Sequence, residues 1–156
     1  MLQKIKILMP GPVKFNFVKE GLEYYLDKIK KFVNIEALFP KVKIKESEEN
    51  IRKKREEEVL KRYLSDKEYL IILDERGKAF KSFELAKKLE NLIQNQASIT
   101  FVIGGPEGLS EEFKKNAKEI WSISTLTLNH EIALLVLIEA LYRSFTIIKG
   151  IPYHKE

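Results

Sequence analysis

A chain of 156 residues, 44% of them hydrophobic, is long enough to bury a core of its own and is not the composition of a disordered protein. With no cysteine and only two histidines, His130 and His154, it excludes a thiolate zinc site and a multi-histidine site within one chain, so no metal is expected. The net charge of +5 is unevenly placed: residues 1–100 carry 22 Lys and Arg against 16 Asp and Glu, and residues 101–156 carry 6 against 7, so attraction to a polyanion would come from the first hundred.

The stretch Met1-Leu2-Gln3-Lys4-Ile5-Lys6-Ile7-Leu8-Met9 alternates apolar and polar residues, which predicts a strand and not a signal peptide, and hence a cytoplasmic protein. After the turn Pro10-Gly11-Pro12, Val13–Phe32 places Phe15, Val18, Leu22, Leu26, Ile29 and Phe32 at helical spacing. Val33–Phe39 returns to alternation as a second strand, which Val42 and Ile44 would extend at an edge. Ser47–Leu64 has a thin apolar stripe among charges and reads as a surface helix. Its cluster Arg52-Lys53-Lys54-Arg55 is followed at once by Glu56-Glu57-Glu58, the pattern of a solvated face rather than a phosphate site.

Tyr69–Leu73 is continuously apolar and predicts a central strand buried on both faces, running into the turn Asp74-Glu75-Arg76-Gly77-Lys78. Ser82–Gln94 is a helix that Ser82 can cap. Ile99–Ile103 is another central strand, Ser110–Ala117 a short helix and Ile120–Ile123 a fifth strand. The alternation predicts an α/β fold, a mostly parallel five-stranded sheet with helices on both faces, in a single domain over residues 1–156.

The last helix, Glu131–Ile148, is apolar around most of its circumference and leaves only the line Glu139, Arg143 and Thr146 polar. One face can cover the sheet and the other needs a partner, so a homodimer through this C-terminal helix is expected. Its apolar run Ile132–Ile138 is far shorter than the roughly 20 residues of a membrane span, and no membrane segment is expected.

Two loops follow strands in this segment, and ligands of parallel sheets sit at the carboxyl ends of strands. Gly104-Gly105-Pro106-Glu107-Gly108-Leu109-Ser110 lacks the lysine and spacing of a phosphate loop, and Glu107, Glu111 and Glu112 at the following helix would repel a phosphate. A neutral or cationic ligand fits it better. Ile123-Ser124-Thr125-Leu126-Thr127-Leu128 offers backbone groups, hydroxyls and apolar side chains without formal charge, a surface suited to an adenine and a thioether-like chain.

The motifs IGGPEGLS, WSISTLTLNH and LIEALYRSFTI, the ending GIPYHKE and the LDERGK turn together resemble the bacterial large-subunit ribosomal RNA methyltransferase H family of the SPOUT class. The resemblance covers the whole chain and is densest in its last third. It implies S-adenosylmethionine-dependent methylation of N3 of a pseudouridine in 23S rRNA by a homodimer acting on the ribosome. It also implies a C-terminal segment threaded as a trefoil knot. Carried over by position, the cofactor contacts would be Leu73, Gly104, Ile123, Ser124, Thr125, Leu126, Thr127 and Leu128.

Methyl transfer to N3 needs positioning and removal of a proton. The candidates are Arg143, to hold an oxygen or phosphate of the substrate, and Tyr153 with His154 in the tail, His154 as a possible base. Against these stand an i,i+4 pair of Arg143 with Glu139 and a frayed terminus. His130, at a helix start, reads as a cap or orienting residue. The chain departs from the family pattern at Asn129 for proline, Leu134 for arginine and Ala140 for glutamine. A SPOUT enzyme with another RNA target, or a catalytically silent ribosome- or RNA-binding dimer, are the alternatives.

Overall fold

The computed structural model describes residues 4–43 and 48–155. Met1–Gln3 of the first expected strand, Ile44 of the expected edge, Ser47 at the expected start of the second helix and the terminal Glu156 lie outside the described residues. The elements run β1 Lys4–Leu8, α1 Asn16–Ile29, β2 Ile35–Leu38, α2 Glu49–Lys61, β3 Tyr69–Ala79, α3 Ser82–Asn95, β4 Ser98–Val102, α4 Glu111–Lys114, β5 Glu119–Ser122 and α5 His130–Lys149. The five strands form one sheet in the order β2-β1-β4-β3-β5, with every pairing parallel. All strands therefore present their carboxyl ends at the same edge.

The two-residue period of the strands divides their side chains between two layers. Ile5, Ile7 and Met9, Ile71, and Ile99, Phe101 and Ile103 face one cluster with α1, α3 and α5, whereas Leu8, Leu70, Ile72 and Val102 face a second with Leu60 of α2 and Phe113 of α4. The helices thus cover both faces, as the alternation predicts. In α5, Leu134, Leu137, Ile138, Leu141 and Phe145 are buried, each contributing about 1.5–3 kcal/mol of transfer free energy. Thr146 does not belong to the polar line expected of this helix. It is fully buried, and its Oγ1 donates to the Arg143 carbonyl at 2.6 Å, which satisfies the hydroxyl without solvent.

Other expectations change in detail. β4 is the middle strand and β3 lies one from the edge. Asp74–Lys78 is not a turn: β3 continues through an irregularity between Leu73 and Lys78 and pairs again with β5 at Lys78 and Ala79. Gly77 allows this, because a Cβ there would lie 2.6 Å from the Ile120 carbonyl oxygen. Val42 is not in a strand, and the expected edge is reduced to one bridge between Gly11 and Lys41. Ser82 is the first helical residue of α3 rather than its cap, and the Lys81 N–H is satisfied by the Glu84 carboxylate at 2.8 Å. Among the described residues no helix is long and apolar enough to cross a membrane, and no group of three His, Asp or Glu side chains could hold a metal ion.

Candidate functional site

The carboxyl ends of β3, β4 and β5 open into a cleft of about 500 Å³. Its floor is Leu73, at the irregularity within β3, with Ile103 and Ile123, which directly follow β4 and β5. One wall is Gly104 to Leu109, the other Ser124, Leu126, Thr127 and Leu128, and the first turn of α5 closes it with His130 and Ala133. Lys53, Asp74, Glu75, Arg76, Lys114 and Asn129 complete the lining. Of the residues expected at a cofactor, Leu73, Gly104, Ile123, Ser124, Leu126, Thr127 and Leu128 lie on this cleft, while Thr125 is exposed in the same loop outside the lining.

Each wall is shaped by its own local chemistry. In the glycine loop the Gly108 N–H donates to the Gly105 carbonyl at 2.9 Å, and Gly108 takes φ +73°, which a residue with Cβ adopts only with strain. A Cβ on Gly104 would come within 2.8 Å of the Gly108 carbonyl carbon and 2.9 Å of Leu109 Cγ. The loop ends at Ser110, whose Oγ accepts from the Phe113 N–H at 3.1 Å and caps α4.

In the second wall the hydroxyls are used within the protein. Ser122 Oγ donates to the Ser124 carbonyl at 2.8 Å, Ser124 Oγ accepts from the Leu126 N–H at 2.9 Å, and Thr127 Oγ1 donates to Glu75 Oε2 at 2.6 Å. The cleft therefore receives backbone groups and apolar side chains from this loop, with Leu126 72% exposed.

The charges along the cleft are mostly paired. Lys114 Nζ reaches Asp74 at 2.5 Å and Glu111 at 3.3 Å, and the Arg76 N–H donates to Asp74 at 2.8 Å. Burial opposes the charge on Asp74, but these contacts overcome it and hold its carboxyl below the usual range. Burial pushes the His130 imidazole down, against the nearby Glu131 charge, so the ring is neutral at neutral pH. The cap of α5 is not His130 but Asn129, whose Oδ1 accepts from the Glu131 N–H at 2.8 Å. Buried Glu131 in turn accepts from the N–H groups of Lys14 and Phe15 at 2.9 and 3.0 Å, tying the start of α5 to that of α1.

The charged helix α2 is not the solvated face expected of it. Glu56 and Glu57 are buried, because α2 packs behind the glycine loop. Glu57 accepts from the Ser110 N–H at 2.6 Å and from its Oγ at 2.7 Å, and Arg52 Nη2 and Nε reach Glu107 Oε1 at 2.5 and 3.1 Å. Lys53 turns to the cleft. These partners are more than fifty residues away in sequence, so no local pattern announces them.

Arg143, Tyr153 and His154 come together, but not on the cleft. Arg143 lies ten residues beyond Ala133, about 15 Å further along α5 at 1.5 Å per residue. Its Nε donates to Glu139 at 2.8 Å, its Nη1 contacts His154 Nδ1 at 2.9 Å, and its guanidinium stands 4.8 Å from the centre of the Tyr153 ring. Tyr153 packs on Tyr142 and places its hydroxyl 3.4 Å from that of Tyr25, and His154 meets the Phe83 ring edge-on. The tail is thus pinned rather than frayed, and the i,i+4 pair with Glu139 coexists with the tail contacts.

Arginine has only donors, so His154 Nδ1 is the acceptor and the ring proton resides on Nε2. Nε2 is buried with no protein partner. In this arrangement the N–H of His154 is at Nε2 and its Nδ1 lone pair is engaged by Arg143. Tyr153 is also held in its protonated form, with burial and then the Tyr25 hydrogen bond pushing its pKa up. Leu134 is in the core and Ala140 lines a small hollow between α3 and α5, so these two departures from the family pattern lie off the cleft, whereas the third, Asn129, lines it.

Residues 3–154 match the family model described as predicted SPOUT methyltransferase. A protein of Dictyoglomus thermophilum named ribosomal RNA large subunit methyltransferase H is 39% identical over 151 residues, covering 96% of this chain and 98% of that relative. Proteins of the same name from Prochlorococcus marinus strain NATL2A and Caldicellulosiruptor saccharolyticus are 41% and 35% identical. They cover 97% of this chain each, and 95% and 99% of their own lengths.

Proposed function

The chain belongs to the SPOUT methyltransferase family, and from that premise we propose that it transfers a methyl group from S-adenosylmethionine to N3 of a pseudouridine in 23S ribosomal RNA. The observation that carries this reading is the cleft at the carboxyl ends of β3, β4 and β5, with a wall that offers backbone and apolar groups and no charge of its own. The donor fits it. Gly104 lets Gly108 and Leu109 fold closely over it to shape the wall, Leu73, Ile123, Leu126 and Leu128 supply apolar surface, and the one acid of the glycine loop, Glu107, is paired with Arg52. Bound there, S-adenosylmethionine would supply an electrophilic methyl group.

The chain's own task is to hold the base and move one proton. His130, neutral and on the cleft, offers a ring nitrogen able to accept the N3 proton. The Arg143 N–H groups, held by Glu139 and His154 and faced by the Tyr153 ring, are donors suited to a ring oxygen of a uracil-type base. Within one chain these donors lie too far from the cleft to share a substrate with it. A homodimer through α5 resolves this by pairing the tail of one copy with the cleft of the other. Phe17 and Tyr24 on α1 are 56% and 58% exposed and give such a dimer an apolar surface. The family reading makes residues 1–156 a single domain with a knotted C-terminal segment, acting on ribosomes in the cytoplasm.

The test is transfer of labelled methyl from S-adenosylmethionine to ribosomes that lack the modification. Label in 23S rRNA supports the reading. An unlabelled 23S rRNA, with donor binding intact in calorimetry, removes it.

A further inference from the structure

Glu56 has an unusual position for a glutamate on a surface helix. It is only 7% exposed, and its Oε1 is buried with no hydrogen-bond partner. Its carboxyl presses on the back of the glycine loop, where a Cβ added to Gly105 would lie 2.5 Å from Oε2 and 2.7 Å from Oε1. The charged groups that face it are Arg52 and Glu57 on α2 and Glu107 on the loop. Arg52 is engaged by Glu107, and Glu57 by Ser110. The nearest acids therefore crowd Glu56 while the nearest cation is shared, and a buried carboxylate lacking donors is the unfavourable form.

We propose that Glu56 is a positioning residue of the methyl-donor site: seated behind Gly105 as the neutral acid, it sets the stance of the loop 104–110, and its ionisation loosens that loop. The front of the same loop lines the cleft and its back rests on Glu56, so a charge on the carboxyl acts on the cleft wall through one layer of backbone. Burial, followed by the Glu107 charge, raises this carboxyl to about 7, inside the range in which cells operate. Arg52 opposes the shift and Glu57 adds to it.

The sign follows from linkage. The seated loop holds a proton that the loosened loop releases, so a ligand that needs the seated loop binds more weakly as the pH rises above about 7. The limit for one proton is roughly tenfold in affinity per pH unit. Glutamine keeps the shape and cannot ionise, so Glu56→Gln should hold the loop at every pH.

This inference rests on the proposed donor site only for its consequence, and two readouts separate the two. The first is amide NMR of the free protein labelled at glycine, titrated from pH 5 to 9. Gly105 and Gly108 should shift together with a midpoint near 7 in the native chain, and stay at their low-pH positions in Glu56→Gln. The second is calorimetry with S-adenosylmethionine from pH 6 to 8.5, in which native affinity falls with pH and the Glu56→Gln affinity is flat. Glu90→Gln, a change on the exposed side of α3, should leave both profiles as they are. A glycine titration that survives in Glu56→Gln, or whose native midpoint lies below 5, overturns the assignment, as does a pH-dependent affinity unchanged by the substitution. Absence of donor binding at any pH, with the glycine titration present and lost in Glu56→Gln, refutes the donor reading and upholds the role of Glu56 in the loop.

Discussion

Replacing Gly104 by alanine should damage donor binding more than it damages the fold. The added methyl would sit 2.8 Å from the Gly108 carbonyl carbon and 2.9 Å from Leu109 Cγ, whereas ordinary carbon contacts begin near 3.5 Å. The gap of roughly 0.7 Å cannot be closed by rotating a side chain, because the closer atom is backbone. Gly104 is not at positive φ, so the penalty is steric and not conformational. Overpacking of this kind costs about 1–3 kcal/mol. Much of that strain must be taken up by the loop that forms the cleft wall, because β4 on the other side of Gly104 is held by two parallel neighbours. Donor affinity should then fall by roughly 5- to 100-fold in calorimetry. The melting temperature should fall by only about 2–4 °C for each kcal/mol that reaches the native state. An alanine variant with native donor affinity would refute the placement of the donor against this loop.

Four further outcomes are expected. Arg143→Gln should reduce methyl transfer to ribosomes by roughly a hundredfold or more while donor affinity changes far less, since the lost bond is charge-assisted and donated to the substrate side; single-turnover transfer and calorimetry read the two effects. Phe17→Glu with Tyr24→Glu should abolish the proposed dimer in sedimentation at micromolar concentration, and transfer should fall with it. Glu56→Gln should melt higher than the native chain at pH 8 and equally at pH 4, because a carboxyl raised from 4.5 to about 7 on folding stabilises fully below 4.5 and loses that contribution as the pH rises through 7. Asp74 has the opposite sign: its lowered pKa stabilises the fold above its unfolded value of 3.8, and that contribution is lost on acidification, so Asp74→Asn should show a shallower loss of melting temperature below about pH 4.

The strands and helices were legible because their periods are local. Ile5, Ile7 and Met9 announce a strand face, and the apolar run from Ile132 to Ile138 announces a helix that burial would claim. The carboxyl-end rule then led from Leu73, Gly104 and Ile123 to one edge of the sheet. What stayed hidden depends on chain threading. Glu56 and Glu57 look like surface charges until α2 is placed behind residues 104–110, and Lys114 looks like one until it meets Asp74. Thr146 sits at a polar spacing in α5, yet an i,i−3 bond to its own helix lets it be buried. The tautomer of His154 is not readable from its type, since the donor that fixes it comes from Arg143, eleven residues back on a different element.

The central claim is tested most directly by locating the methyl group. Ribosomes lacking the modification would be incubated with the protein and labelled S-adenosylmethionine, and the nucleosides of their 23S rRNA resolved by mass spectrometry. The same reaction would be run on ribosomes that carry uridine at the target in place of pseudouridine. One labelled nucleoside is expected, pseudouridine methylated at N3. A methyl group on another nucleotide, or none on 23S rRNA while the cleft binds the donor, would contradict it.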